Sequence, residues 1–145
     1  MASKSKVYFF FDDIRVNLRN RNKIKRMIEQ IFLYEKKPLD RLNYVFCSDD
    51  IILDINRRYL KHDFYTDIIS FDLSENKDEK ITGEIYISLD RVRDNASKMK
   101  LPFNHELARV IFHGALHLCG HKDKTKKEKQ EMTKREDLYL KKYIG

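Results

Sequence analysis

Residues 113–123 read HGALHLCGHKD, and this segment says most about the fold of the chain. His113 and His117 are four residues apart, so on a helix both imidazoles project from one face, one turn apart, and can reach a single ion. Gly120 can end that helix in a left-handed conformation and turn the chain back. A third donor beyond the turn can then approach the same ion. Three protein ligands with a fourth position open are typical of a catalytic zinc site.

Two residues beyond the turn are candidates for the third ligand. Imidazole is the commoner zinc ligand, which favours His121. Position favours Asp123, because the metzincin motif places its third ligand three residues after the glycine. His121 follows the turn residue directly and has little length to swing back. We therefore predict one Zn²⁺ held by His113, His117 and Asp123, with His121 as the alternative ligand.

Gly114 stands where a zincin protease carries the glutamate that acts as its general base. A peptidase of that type is therefore disfavoured. Hydrolysis remains open, because zinc lowers the pKa of bound water to about 7 without a carboxylate beside it. The absent side chain also predicts space over the metal for a bulky substrate.

Two charged residues precede the histidines on the same helix face. Arg109 lies one turn before His113 and can bind a phosphate oxygen bidentately. An ion pair between Arg109 and Glu106, or another carboxylate, is an equally good interpretation. Glu106 can orient a ligand imidazole, but an ordinary solvated glutamate is the simpler expectation.

The charge of the chain favours a polyanionic partner. The 145 residues carry a net charge of +7, and we expect nucleic acid rather than a membrane surface because no basic amphipathic anchor stands out. Basic residues cluster without an acidic one at 15–26, and again at Arg57, Arg58 and Lys61. No apolar run approaches the roughly 20 residues that span a bilayer, and no export signal is evident. We expect a cytoplasmic protein with reduced, buried cysteines.

Hydrophobic periodicity predicts an α+β domain. Strands are predicted from β-branched and aromatic runs, and helices from apolar residues at i, i+3 and i+4 spacing. The predicted strands are 7–11, 42–47, 67–73 and 83–88, and the predicted helices are 22–34, 50–60, 89–99, one from Pro102 to Gly120, and a last one to about residue 142. In the helix 50–60, Tyr59 is predicted to face inward with Ile51, Ile52 and Ile55. We expect a single domain over 1–145, in which a small four-stranded mixed sheet is packed with helices and the histidine-bearing helix is central, as in zincins.

Four segments in the same order resemble a known family. NRRY at 56–59, TDIISF at 66–71, GEI at 83–85 and HGALHLCG at 113–120 resemble N-x-x-Y, T-D-V-L-S-F, G-D-I and H-G-x-L-H-L-x-G of the YbeY family of ribosomal RNA maturation endoribonucleases. The resemblance covers roughly residues 42–140. It implies a single-domain, zinc-dependent, single-strand-specific endoribonuclease. It also implies a role in 3′-end maturation of small-subunit (16S) ribosomal RNA and in ribosome quality control.

The chain departs from the family pattern at the third ligand. The family motif usually continues Y-D-H, and its final histidine is the third ligand. The matching residues here are His121, Lys122 and Asp123, so the ligand position is an aspartate. This assignment agrees with the spacing counted from Gly120.

A second departure comes directly after the N-x-x-Y segment. The family commonly has an arginine at that position, but this chain has Leu60. Arg58 or Lys61 can supply the charge by proximity. In the TDIISF segment, the polar Thr66, Asp67 and Ser70 are expected to line the site or cap a turn, and the apolar residues to be buried.

We therefore hypothesise metal-assisted hydrolysis of an RNA phosphodiester, with ribosomal RNA and the small ribosomal subunit as partners. The residues assigned to catalysis are His113, His117 and Arg109, and those assigned to RNA binding are Arg57, Arg58, Lys61 and Arg109. One alternative is a ribosome-assembly factor that binds RNA without cutting it. A zincin-like metallopeptidase is the disfavoured alternative.

Overall fold

The structure, a computed structural model, describes residues 5–14, 18–62, 65–76 and 80–144. Its strands are β1 Val7–Phe11, β2 Leu39–Cys47, β3 Ile68–Asp72 and β4 Ile81–Ser88. Its helices are α1 Arg21–Tyr34, α2 Asp49–Ile55, α3 Leu89–Met99, α4 Phe103–Leu118 and α5 Lys126–Ile144, and a π-helical turn at Asn56–Leu60 follows α2.

Of the basic stretch 15–26, Arg15 lies outside the described residues. Within the described ranges, no helix combines the length and apolar character that a membrane crossing requires.

The predicted four-stranded mixed sheet is confirmed. Its strand order is β1-β2-β4-β3, with β1, β2 and β4 mutually parallel and β3 antiparallel to β4. Two strands begin earlier than predicted, β2 at Leu39 and β4 at Ile81. The pairing places β3 at one edge, next to the strand that carries Gly83, Ile85 and Ile87.

Helix α4 lies at the centre of the fold, as predicted. Hydrophobic side chains cover most of the circumference of this helix. They are therefore buried against the sheet on one side and against α1, α3 and α5 on the others. The hydroxyl of the fully buried Tyr44 on β2 donates to the carbonyl of Ile111 at 2.8 Å. This bond gives the phenol a partner in the core and ties the middle of α4 to the sheet.

Two glycines allow α4 to approach the sheet closely. A Cβ added at Gly114 would lie 2.8 Å from Cδ1 of Ile85 and 2.9 Å from Cδ1 of Ile68. A Cβ added at Gly83 would lie 2.6 Å from Cδ1 of Leu118. The prediction that Gly114 leaves room for substrate over the metal is therefore wrong, because isoleucine side chains fill that space. The glycine instead brings the end of α4 down onto β3 and β4.

The segment after α2 differs from the predicted regular helix. The chain is α-helical to Ile55 and then forms the π turn, which takes one more residue per hydrogen-bonded ring. That extra residue rotates the later side chains of the segment relative to α2. Tyr59, predicted to face inward, is 69% exposed, and its ring meets the edge of Phe71 at a centroid distance of 6.1 Å. Asn56 is buried instead.

Candidate metal centre

The turn after α4 brings the chain back toward the histidines. Gly120 has a φ of 103°, its N–H donates to the carbonyl of His117 at 3.0 Å, and the N–H of His121 donates to that of Leu116 at 3.1 Å. This pair of bonds is a Schellman motif, which ends a helix and satisfies its last carbonyls. Because the chain reverses here, Asp123 lies over the last turn of α4. The role predicted for Gly120 is confirmed.

Three donor groups meet at this end of the helix. One carboxylate oxygen of Asp123, Oδ2, lies 3.3 Å from Nε2 of His113 and 3.3 Å from Nε2 of His117. All three donor atoms lie within 4.8 Å of one another. Donors about 2 Å from a tetrahedral ion are separated from one another by about 3.3 Å. His113, His117 and Asp123 are therefore close enough to hold a metal ion.

His121, the alternative ligand, lies outside this donor set. Its Nε2 is 2.5 Å from a carboxylate oxygen of Glu35, a side chain only 9% exposed at the end of α1. The other oxygen of Glu35 accepts from Arg135 at 3.0 Å and from the hydroxyl of Tyr139 at 2.6 Å. Burial acts to raise the pKa of Glu35, but these three donors outweigh burial and hold the pKa below its ordinary value of 4.5. We call these four residues the Glu35 cluster.

Helix α5 contacts His113 at Nδ1, the ring nitrogen that lies outside the donor set. Its Nδ1 lies 2.5 Å from Oε2 of Glu136, whose side chain is 9% exposed. The guanidinium of Arg109 donates to Oε1 of the same glutamate at 2.8 Å and to Oδ1 of Asp137 at 2.6 Å. Burial alone would lower the pKa of His113, but the hydrogen bond and charge of Glu136, helped by Asp123, raise it. We call Arg109, His113, Glu136 and Asp137 the Glu136 cluster.

Sequence reasoning missed Glu136 and misplaced Glu106. Glu106 was expected to be solvated, but it is 4% exposed, and among the described residues its Oε1 has no hydrogen-bond partner. Burial, with the charge of Asp67 nearby, raises the pKa of Glu106. Glu136 could have been found from its place in the apolar stripe of α5. A glutamate between Met132 and Tyr139 at helical spacing faces the interior and needs a buried partner.

An open groove of about 710 Å³ leads away from the donor set. Besides the three donor residues, it is lined by the π turn, by the segment before β3, by β3 itself and by the turn after α4. Its polar lining residues are Asn56, His62, Thr66, Asp67, Ser70, Asp72 and Lys124. The expectation that Thr66, Asp67 and Ser70 line the site is therefore confirmed.

Asp67 lines the groove directly before β3, and its backbone and its carboxyl both interact with neighbouring residues. Its backbone carbonyl accepts from the N–H of Ser88 at 2.9 Å, which fixes the chain just before β3. Burial raises the pKa of its carboxyl, against the lowering effect of His113. The carboxylate thus lies in the electrostatic field of the donor set.

Three basic residues predicted to bind RNA lie in the π turn or directly after it. Arg57, Arg58 and Lys61 are exposed, and none of the three is among the residues that line the groove in the described part of the chain. Arg58 pairs with Asp54 at 3.1 Å in an exposed i, i+4 contact, a type that contributes little to stability and is easily exchanged. Leu60, at the position of the family arginine, lines the groove and is 39% exposed.

Known proteins match the chain over most of its length. The family model described as Endoribonuclease YbeY matches residues 11–144. A protein of that name from Cytophaga hutchinsonii is 49% identical over 134 residues, 92% of this chain and 93% of the relative. One from Flavobacterium psychrophilum is 43% identical over 129 residues, 89% of this chain and 91% of the relative. A solution structure from Thermotoga maritima is similar with a TM-score of 0.61 at 26% identity, covering 94% of this chain and 88% of that one. The chain therefore belongs to the YbeY endoribonuclease family.

Proposed function

We propose that this chain is a zinc-dependent, single-strand-specific endoribonuclease that acts in the cytoplasm on the 3′ end of small-subunit ribosomal RNA and in ribosome quality control. The proposal rests on the donor set, whose three residues line the groove. His113, His117 and Asp123 would supply three ligands and leave the fourth position of the ion open to the groove. Membership of a family whose members are named endoribonucleases supports RNA as the substrate.

His113, His117 and Asp123 would hold the zinc ion. When bound, zinc supplies a Lewis acid for a phosphate oxygen or lowers the pKa of a water molecule toward neutrality. A carboxylate as third ligand gives the site one negative charge more than three imidazoles would. His113 and His117 act as ligands in this proposal, and their substitution removes catalysis by removing the ion.

The remaining residues of the site bind and orient the RNA. Arg57, Arg58 and Lys61 lie exposed beside the groove, where they can neutralise backbone phosphates. Two exposed aromatic rings lie close to these residues in sequence, Tyr59 between them and Tyr65 after them. Such rings can stack on unpaired bases, which favours a single strand over a duplex. Arg109 was expected to contact a phosphate directly. Its guanidinium already binds two carboxylates of α5, and these contacts suggest a different role.

The decisive experiment measures zinc content and cleavage of a single-stranded RNA together. We expect wild type to bind one zinc ion and to cut the RNA, and His117→Ala or a chelator to abolish both. His121→Ala is the matched control, because it removes an imidazole outside the donor set. Cleavage that survives in metal-free His117→Ala, with the absence of metal verified, would contradict the proposal.

Leu60 favours a second candidate, a ribosome-assembly factor that binds RNA without cutting it. An apolar side chain lines the groove where the family commonly has an arginine, so one positive charge is missing beside the site. Leu60→Arg tests this directly. If wild type binds RNA and ribosomes but never cleaves, and Leu60→Arg gains cleavage, the assembly-factor interpretation holds for the natural chain.

A peptidase of the zincin type has no support. The general-base glutamate of such an enzyme would have to replace Gly114. A Cβ at that position would already lie under 3 Å from the side chains of Ile85 and Ile68, so a glutamate there would have to displace these isoleucines.

A further inference from the structure

A histidine can bind a metal through either ring nitrogen. Which nitrogen is available depends on the hydrogen bond that the other one makes, because a neutral imidazole has one N–H and one lone pair. In His113 the two nitrogens face different partners. Nε2 lies 3.3 Å from Asp123 in the donor set, and Nδ1 lies 2.5 Å from Glu136 behind it.

We propose that Glu136 and Arg109 are positioning residues for the metal site, which together hold the His113 ring with Nε2 directed at the ion. Glu136 accepts a hydrogen bond from the N–H at Nδ1, so the lone pair lies on Nε2. Arg109 holds Glu136 in turn and acts on the metal only through it. This inference rests on the metal role proposed for His113, and it does not depend on what the protein cleaves.

The carboxylate of Glu136 has little freedom to turn. One oxygen binds Nδ1 of His113 and the other binds Arg109 at 2.8 Å, so both are occupied by groups on α4. The second amino group of Arg109 binds Asp137 at 2.6 Å. Arg109 is one helical turn before His113, so the contacts leave α4, cross to α5 and return to α4. Such a closed set of contacts fixes the plane of the imidazole as well as its tautomer.

The helix that supplies Glu136 is itself well anchored. Met132, Tyr139 and Leu140 on α5 are all buried, and they lie on the same face as the glutamate. His117 differs, since its polar side-chain contact in the described part of the chain is to Asp123 within the donor set. The ring orientation of His113 is therefore the one that α5 controls.

The test is the dissociation constant for Zn²⁺, measured by competition with a chelator on metal-free protein whose folding is verified by circular dichroism. We expect Glu136→Ala to weaken zinc binding by about 10- to 100-fold, the usual effect of losing a partner behind a ligand. Glu136→Gln should weaken it less, because its amide oxygen can still accept from Nδ1. Arg109→Gln should fall between Glu136→Gln and wild type. Glu131→Gln, five residues earlier on α5 and half exposed, is the matched control and should match wild type.

A second readout reports the positioning itself. In the metal-free protein, at a pH high enough to leave the imidazole of His113 neutral, nitrogen NMR should show His113 with its proton on Nδ1 in wild type and a mixture of tautomers in Glu136→Ala. A merely structural role would leave this ratio unchanged. If Glu136→Ala does not fold, Glu136→Gln and Arg109→Gln still test the proposal.

Wild-type zinc affinity and an unchanged tautomer ratio in folded Glu136→Ala would overturn the inference, as would wild-type zinc affinity in both Glu136→Gln and Arg109→Gln if Glu136→Ala does not fold. Weakened zinc binding in a protein that cleaves no RNA would leave the inference standing and remove the nuclease proposal instead. The two failures are therefore distinguishable.

Discussion

The Glu136 cluster and the Glu35 cluster both contain a glutamate, a histidine and an arginine, but the glutamate engages a different ring nitrogen in each. Each has a glutamate that is 9% exposed, an imidazole nitrogen 2.5 Å away and an arginine on the other oxygen. Glu136 engages Nδ1 of His113, the nitrogen nearer the backbone, and leaves Nε2 at the tip of the ring for the donor set. Glu35 engages Nε2 of His121, so the tip of that ring is already used. In the proposed metal site, the nitrogen that the carboxylate engages therefore separates the proposed ligand His113 from the structural His121.

The two clusters also join different parts of the fold. The Glu136 cluster links α4 to α5, directly behind the donor set. The Glu35 cluster links the end of α1 to the turn after α4 and to α5, regions 86 and 100 residues apart in sequence. We therefore expect changes in the first cluster to alter metal binding and changes in the second to alter stability.

The largest expected effect separates the two candidates for the third ligand. Asp123→Ala should weaken zinc binding at least 100-fold, because losing a ligand costs more than losing a partner behind one. His121→Ala should bind zinc much as wild type does. Zinc titration of both variants makes the comparison. Full zinc occupancy in Asp123→Ala together with loss of zinc in His121→Ala would reverse our assignment of the third ligand.

A smaller effect is expected from Glu35→Ala, and on a different quantity. The substitution leaves His121, Arg135 and Tyr139 without their shared acceptor, and we expect the free energy of unfolding to fall by about 2 kcal/mol. Chemical denaturation measures this change. The zinc affinity of the folded variant should stay close to that of wild type. A loss of zinc binding without a loss of stability would show that the Glu35 cluster also supports the metal site.

The smallest expected effect is on the pH dependence of the free energy of unfolding. The pKa of Glu35 is held below its ordinary value of 4.5, so ionised Glu35 stabilises the fold above that pH, and the contribution is lost as pH falls through the lowered native pKa. Glu35→Gln should therefore cost about 1 kcal/mol near neutral pH and progressively less in acid. Denaturation curves from neutral to acid pH test the trend, with Glu75→Gln, at an exposed position outside the Glu35 cluster, as control. A difference that stays constant with pH would contradict it.

The parts of the fold that depend on local sequence could be predicted. The spacing of His113 and His117, the turn at Gly120 and the position of Asp123 are all set within eleven residues, so the donor set could be counted from the sequence. The strands and most helices follow from hydrophobic periodicity in the same way.

The features that depend on tertiary contacts could not be predicted from the sequence. No local pattern distinguishes a π turn at Asn56–Leu60 from a continued α-helix, so Tyr59 was assigned to the wrong side. Gly114 was interpreted as open space because its neighbours Ile85 and Ile68 belong to strands far away in sequence. Glu136 and Glu35 reach the site and its surroundings from helices whose arrangement only the folded chain defines.

The position of β3 has a consequence for solubility. In the described part of the chain β3 pairs along one edge only, and the other edge borders the groove. A groove proposed to receive RNA has to stay uncovered, yet an uncovered strand edge invites pairing with a second molecule and aggregation. Strand β3 has only five residues, Ser70 interrupts its apolar side chains and Asp72 ends it with a charge. These features discourage edge-to-edge association, so the strand that keeps the groove accessible also carries its own protection against self-assembly.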